Sequence, residues 1–334
     1  MHYRITAFAG AAILLAACGH GFEPSEPKDP LPRSPIKSAA PQFVYVGGIA
    51  NNTISEFAVT GGSPIRTISD GVNQPQVLVL DSQGNLYSGN FGNDSITEYS
   101  PSGALIRTIT SGVTGPLGMA VDSKGNVYSA NSWNVSMYPP GATTPSATIN
   151  TGANDVAVDG ADNVYVSDPS ANTVTEYTPG GASVVRTISL PAVPQAIAVD
   201  TGVNHTGELA VATCGTGCGG TGANDAAYLF APGQTTAYAT LTDVSQPVDV
   251  AYDGIGNVYI ANSDWISVYA LNVYGSAMED LPCGPLAIAI DGANDLAESD
   301  LAIGVGAQVY PYASQQPVWA LSTMQPWGIA ATRN

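Results

Sequence analysis

A short apolar segment closing on aspartate returns along this chain at a nearly even step. Copies end at Asp81, Asp122, Asp159, Asp200, Asp253 and Asp291, spaced by 41, 37, 41, 53 and 38 residues. A last copy without the aspartate, Gly328-Ile329-Ala330-Ala331, stands near the C-terminal end. A second apolar run follows, as in Asn85-Leu86-Tyr87, Asn126-Val127-Tyr128, Asn163-Val164-Tyr165 and Asn257-Val258-Tyr259. The third run carries one aromatic residue: Phe57, Tyr99, Tyr138, Tyr177, Phe230, Tyr269 or Tyr310. A fourth reads Ile65-Arg66-Thr67-Ile68 and recurs at 106–109 and 185–188. Runs of this length, rich in β-branched and aromatic residues, are strands. Turns such as Asp81-Ser82-Gln83-Gly84-Asn85 join first strand to second, and Gly84, Gly125 and Gly256 supply the positive φ of a tight hairpin.

One four-stranded sheet cannot bury both of its faces, whereas sheets arranged radially bury them on each other. The repeated region, 42–334, divides into seven units of about 42 residues. The expected fold is therefore all-β: a seven-bladed β-propeller of four-stranded antiparallel blades. The chain enters this region at a second strand, 43–46, and finishes with a first strand, 328–331. Pairing the C-terminal strand with the N-terminal blade closes the ring and removes an open edge.

Charge excludes several roles. The chain carries 9 Lys and Arg against 27 Asp and Glu, a net charge of −18. Such a chain repels a phosphate backbone, so no nucleic-acid partner is expected, and it has no electrostatic hold on anionic lipid. The single long apolar run, residues 5–17, follows Arg4 and is too short to span a bilayer. It ends in Leu15-Ala16-Ala17-Cys18, which resembles a bacterial lipobox. Residues 1–17 are then a lipoprotein signal peptide and Cys18 the lipidated first residue. Gly19, not Asp, follows, so the inner-membrane retention signal is absent and an outer-membrane anchor is expected. Residues 18–41 form a tether, with six Pro among residues 19–41. Pro-rich chain favours extended polyproline II and reaches up to ~70 Å at ~3.1 Å per residue. The expected address is the bacterial cell envelope, on its periplasmic or outer side. Membrane contact comes through the lipid alone, and the protein is expected to act as a monomer.

The segments Pro116-Leu117-Gly118-Met119-Ala120-Val121-Asp122 and Gly125-Asn126-Val127-Tyr128 resemble NHL-type repeats, as do Pro326-Trp327-Gly328-Ile329-Ala330 and 253–259. The resemblance covers essentially all of 42–334. Seven copies, against the six more usual there, resemble instead the virginiamycin B lyase relatives and gluconolactonase-like propellers. These families include protein-binding modules, sensor ectodomains and some enzymes, so the fold does not choose a function.

In a propeller, residues entering the first strands line the channel at one face. Here these are Gln76, Leu117, Asn154, Gln195, Val248, Leu286 and Trp327, with Asp155 and Asp249 adjacent. Loops between second and third strands share this face and add Asn90, Asn131, Trp133, Asp168, Asn262 and Trp265. Trp supplies large contact area with one polar handle. Trp327, Trp133 and Trp265, with Gln76, Asn154, Asp155, Gln195 and Asp249, are thus the candidate ligand- or partner-binding residues. The turn aspartates recur in nearly every blade, as a structural device does. Asp291, Asp295 and Asp300 form a dense acid group, and their hard oxygens are a candidate Ca²⁺ site.

The only His residues are His2, His20 and His205, so no His pair stands in the propeller to hold zinc. The lyase resemblance implies a His base with Mg²⁺, and His205 lies in a loop on the other face. Gluconolactonase-like propellers use carboxylates and an amide around a metal, a role Asn154, Asp155 and Asp249 imitate. Cys214 and Cys218 bracket a Gly-rich stretch and suit a local disulfide in an oxidising compartment, which leaves Cys283 over. Arg66, Arg107 and Arg186 sit on the outermost strands, where exposed charge discourages edge-to-edge pairing.

The leading expectation is a non-catalytic binding, interaction or sensing module for a protein or envelope ligand. The alternatives are a metal-assisted lactonase or lyase at the channel mouth, and a purely structural envelope protein. The anchor is directly testable. Cys18→Ser is expected to abolish palmitate labelling and move the protein from the membrane to the soluble fraction; unchanged membrane partition contradicts lipidation.

Overall fold

The computed structural model describes residues 42–331 apart from 203–206, 216–224, 272–276, 278, 283–284, 293, 301–306, 311–318 and 322–325. Their strands form seven antiparallel sheets of four, each sheet one blade. Blade two is typical: Pro75–Leu80, Leu86–Asn90, Ser95–Tyr99 and Leu105–Ile109 run outward from the channel in chain order. Blade one is composite. Its inner strand, Pro326–Ala331, pairs antiparallel with Phe43–Gly48, placing Val44 opposite Ala331 and Val46 opposite Ile329. Successive inner strands touch all the way round, and Pro285–Ile290 of blade seven meets Pro326–Ala331 to complete the ring.

The apolar core is divided among the blade interfaces. Tyr87, Ile96 and Ile109 of blade two pack with Met119, Val127 and Tyr138 of blade three. Val44, Val46, Phe57 and Ile329 of blade one pack with Ala297 and Val309 of blade seven across the closing seam. Interior strands are therefore covered on both faces, and Leu86–Asn90 and Leu209–Cys214 are buried along their whole length. Each fully buried large apolar side chain contributes roughly 1.5–3 kcal/mol.

The recurring Asp-x-x-Gly-Asn-x-Tyr motif has one local cause. Asp81 Oδ1 accepts the backbone N–H groups of Gln83 and Asn85, each at 2.8 Å. Its Oδ2 accepts Asn85 Nδ2 at 2.8 Å and the Tyr87 hydroxyl at 3.4 Å. Asp122, Asp159 and Asp253 repeat the pattern. Gly84 closes the turn at φ 81°, a conformation cheap only for glycine. Asp162 and Asn294 occupy that place in blades four and seven at φ 65° and 66°. Their side chains reach back to the preceding blade. Asp162 accepts from Ser123 N and Oγ, both at 2.9 Å, and Asn294 Oδ1 accepts from Gly254 N at 2.9 Å.

The outer-strand arginines depart from expectation. Arg66, Arg107 and Arg186 do not stand as solvent-exposed edge guards; Arg107 is only 9% exposed. Each pairs with the glutamate opposite it, Glu56, Glu98 or Glu176. Each also donates to carbonyls in the next blade: Pro101 for Arg66 at 3.0 Å, Pro139 at 3.2 Å and Ala142 for Arg107, and Gln234 for Arg186. The turn of the following blade folds over the guanidinium, so the arginine ties two blades together.

Removing one member of such a buried pair leaves the other charge uncompensated. Arg107→Met is expected to lower stability by about 3 kcal/mol in urea unfolding. The double variant Glu98→Met/Arg107→Met is expected to regain most of that loss; additive losses would contradict a buried ion-pair staple.

Candidate functional site

Where the inner strands begin, the channel opens into a cavity of about 450 Å³. Gln76, Leu117, Asn154, Gln195, Val248 and Leu286 line it, one from each of six blades, together with Asp155 and Asp249. Blade one contributes Gly328 and Ile329. Trp327 precedes them on the strand Pro326–Ala331, and its indole lies outside the described part of the structure. The repeat register thus brings the first-strand residues to one mouth.

Close approach of the inner strands explains glycine at two places around the mouth, beside Asp155 and beside Gln76. A Cβ on Gly118 would lie 2.8 Å from Asp155 Cα and 2.4 Å from Asp155 Oδ1. One on Gly328 would lie 3.0 Å from the Gln76 carbonyl oxygen. An inner strand also presents an unpaired backbone edge, whose polar groups need partners. Asp155 supplies two: Oδ1 accepts from Val156 N at 2.8 Å, and Oδ2 accepts from Ile197 N of blade five at 2.9 Å. Beside it, Asn154 Nδ2 donates to the Gln195 carbonyl at 2.6 Å. Asp249 repeats the arrangement, accepting from Val250 N at 2.8 Å and from Ile288 N of blade seven at 2.9 Å. Burial pushes the Asp155 carboxyl up to about 6 against the opposing pull of its two backbone bonds. Burial likewise pushes Asp249 up to about 7, and the charge of Asp155 adds to the rise.

Gln195 Nε2 donates to Cys214 Sγ at 3.2 Å. Cys214 is disulfide-bonded; Cys218, expected to pair with it, lies outside the described residues, as do Cys18, Cys283 and His205.

The loops around the mouth divide. Asn90, Asn131 and Asn262 are buried and hold the loops that enter their blades: their Oδ1 atoms accept from Asn73 N at 3.1 Å, Thr114 N at 3.4 Å and Ser245 N at 2.9 Å. Asp168 is likewise spent on Thr151, Ser170 and Ala171. These polar groups belong to the scaffold, because their donors and acceptors are already used within their own blades. Trp265 is half-buried, with Nε1 donating to Ser267 Oγ at 2.7 Å. Trp133 differs, being 77% exposed at the tip of its loop. Phe91, which the sequence reading passed over, is 41% exposed at the matching loop of the neighbouring blade. Its signal was available: an aromatic residue directly after Asn90, in the loop class that carries Trp133.

The proposed Ca²⁺ ligands are not brought together. Asp291 Oδ1 accepts from Asp295 N at 2.9 Å in the turn joining the first two strands of blade seven. Asp300 ends the strand Leu296–Asp300, roughly 16 Å away at ~3.3 Å per residue and at the opposite face. Among the described residues no three His, Cys, Asp or Glu side chains converge on one point.

No family model matches the chain, and no curated protein matches it. Solved structures do. A functionally unknown protein from Desulfotomaculum acetoxidans DSM 771 superposes with a TM-score of 0.73 at 13% identity, over 87% of this chain and 99% of that one. A chain of Kuenenia stuttgartiensis Hydrazine Synthase gives a TM-score of 0.57 at 14% identity, over 71% and 76%. A chain of a Mitotic Checkpoint Complex gives 0.59 at 15% identity, over 69% and 71%. At these identities the likeness shows the fold alone, and the fold is shared by chains of unlike roles.

The two raised carboxyls set a pH dependence. Their folded pKa values lie above the unfolded value near 3.9, so the folded state holds extra protons. The stability this contributes is complete below about pH 4 and is lost as pH rises through about 6 and 7. Relative to Asp155→Asn/Asp249→Asn, the wild-type protein is expected to lose melting temperature between pH 5 and pH 8. A pH-independent difference would contradict the burial of these groups.

Proposed function

We propose that this chain is a lipid-anchored binding module of the bacterial cell envelope, which holds a partner or ligand on the face around the channel mouth without catalysing a reaction. The carrying observation is Trp133, 77% exposed on the same face as the cavity. An exposed indole supplies large contact area with one polar handle, as interface anchors do. Phe91, in the matching loop of the preceding blade, is a second exposed aromatic on this face, and the polar lining of the cavity supplies orienting groups, as ligand sites require. The lipobox and Pro-rich tether read from residues 1–41 support a propeller held on a spacer from a membrane surface.

The lactonase or lyase alternative asks Asp155 and Asp249 to serve a metal or a reacting group. Each carboxylate oxygen holds one backbone N–H of its own or the next blade, which fixes the carboxyls in place as polar contacts of the mouth and supports a binding role. A purely structural role leaves Trp133 and the lined cavity unused.

Crosslinked pull-down from whole envelopes tests the proposal with the full-length protein and its Trp133→Ala variant. A central Trp is worth 2 kcal/mol or more in an interface, so recovery of the partner is expected to fall by roughly 30-fold. Equal recovery by a variant of unchanged melting temperature would overturn the assignment of this face.

A further inference from the structure

The cavity is uneven in character. Asn154, Asp155, Gln195 and Asp249, from three successive blades, make a polar arc, and Val248 and Leu286 continue it as an apolar one. Among the described residues no cationic side chain lines this arc. The four described Lys and Arg side chains, Arg66, Arg107, Lys124 and Arg186, are each ion-paired with a carboxylate and none lines the cavity. The whole chain carries −18. An anionic guest would therefore meet two carboxyls and no counter-charge. A neutral guest returns hydrogen bonds but no charge for the water it displaces from those carboxyls. A guest with positive charge offsets the desolvation it causes.

Each carboxylate oxygen accepts one backbone N–H and keeps a second lone pair. The volume of about 450 Å³ falls in the range of organic-ligand pockets. It is far larger than a bare ion needs, and part of its wall is hydrocarbon. We propose that the channel mouth receives an alkylammonium or alkylguanidinium group, with Asp155 and Asp249 as its counter-ions, Asn154 and Gln195 as orienting amides, and the alkyl stem against Val248 and Leu286. This rests on the binding role of the mouth and names the chemistry of its ligand.

Binding is proton-linked. The inner strands packed against the two aspartates, Gly118–Val121, Val193–Val199 and Pro285–Ile290, carry no titratable side chain. Of the second strands, Tyr128 in blade three, Tyr165 and Asp168 in blade four and Tyr259 in blade six are bonded elsewhere, to Asp122, to Asp159, to Thr151 and to Asp253. The charge of Asp155 acts on Asp249, and a bound cation favours the ionised form of both.

Calorimetric titration of the full-length protein with five-carbon probes of different charge tests the proposal: cadaverine, 1,5-pentanediol and glutarate. Cadaverine is expected to bind at pH 8 at least tenfold more tightly than either other probe, and about tenfold more weakly at pH 5. Asp249→Asn is expected to weaken cadaverine roughly tenfold and leave pentanediol unmoved. The pH series needs no variant, so it decides the matter even if the substitution disturbs the Ile288 contact. A hexalysine arm separates the sources: tighter binding than cadaverine assigns the ammonium to a polypeptide side chain, weaker binding to a free amine. Equal binding of all three small probes, or none by cadaverine and hexalysine at millimolar concentration, would overturn the proposal. In that event a partner still lost on Trp133→Ala would leave the binding role standing, whereas a partner retained would remove both.

Discussion

In this chain the two apolar faces of each four-stranded blade are covered by other blades. The hydrophobic clusters lie between blades, one joining blades two and three and another the closing seam of blades seven and one. A blade taken alone would expose both faces, so the units are stable only as a ring. Closure by Pro326–Ala331 against Phe43–Gly48 turns a linear array into a structure without terminal faces. The polar ties follow the same logic. Arg66, Arg107 and Arg186 reach carbonyls of the next blade, and Asp162 and Asn294 reach amides of the previous one.

Closing seven sheets around an axis creates the channel, and the channel creates a problem of unpaired inner edges. Asp155 and Asp249 answer it by accepting the amides of Ile197 and Ile288 from the following blades. The same two side chains give the mouth its acidity. A scaffold requirement and a candidate recognition feature are thus carried by one pair of residues, while the indole of Trp133 stands largely in water.

Legibility in the sequence followed the range of the interaction. The turn motif from Asp81 to Tyr87 could be read because all its hydrogen bonds close within seven residues. The channel residues could be read because one register, repeated through the chain, places Gln76, Asn154 and Gln195 alike. The arginine staples could not, since Arg107 meets its carbonyl partners at Pro139 and Ala142, in a turn that only the ring brings near. Asn90 and Asn131 looked like surface amides for the same reason: the loop amides they hold come from Asn73 and Thr114. Proximity in sequence also misled. Asp295 and Asp300 are close in the chain, yet a strand of five residues carries them to opposite faces.

The central claim is that one face of the ring, the channel mouth, is the working surface. Two probes separate the faces: a photo-crosslinking residue at Trp133, on the mouth side, and one at Gly160, in the turn between the first two strands of blade four on the other side, with no neighbour within 4 Å of its Cβ position. Irradiating cells that carry each full-length variant should yield a discrete adduct from position 133 and none from position 160. Adducts from position 160 alone, or equally from both, would contradict the account.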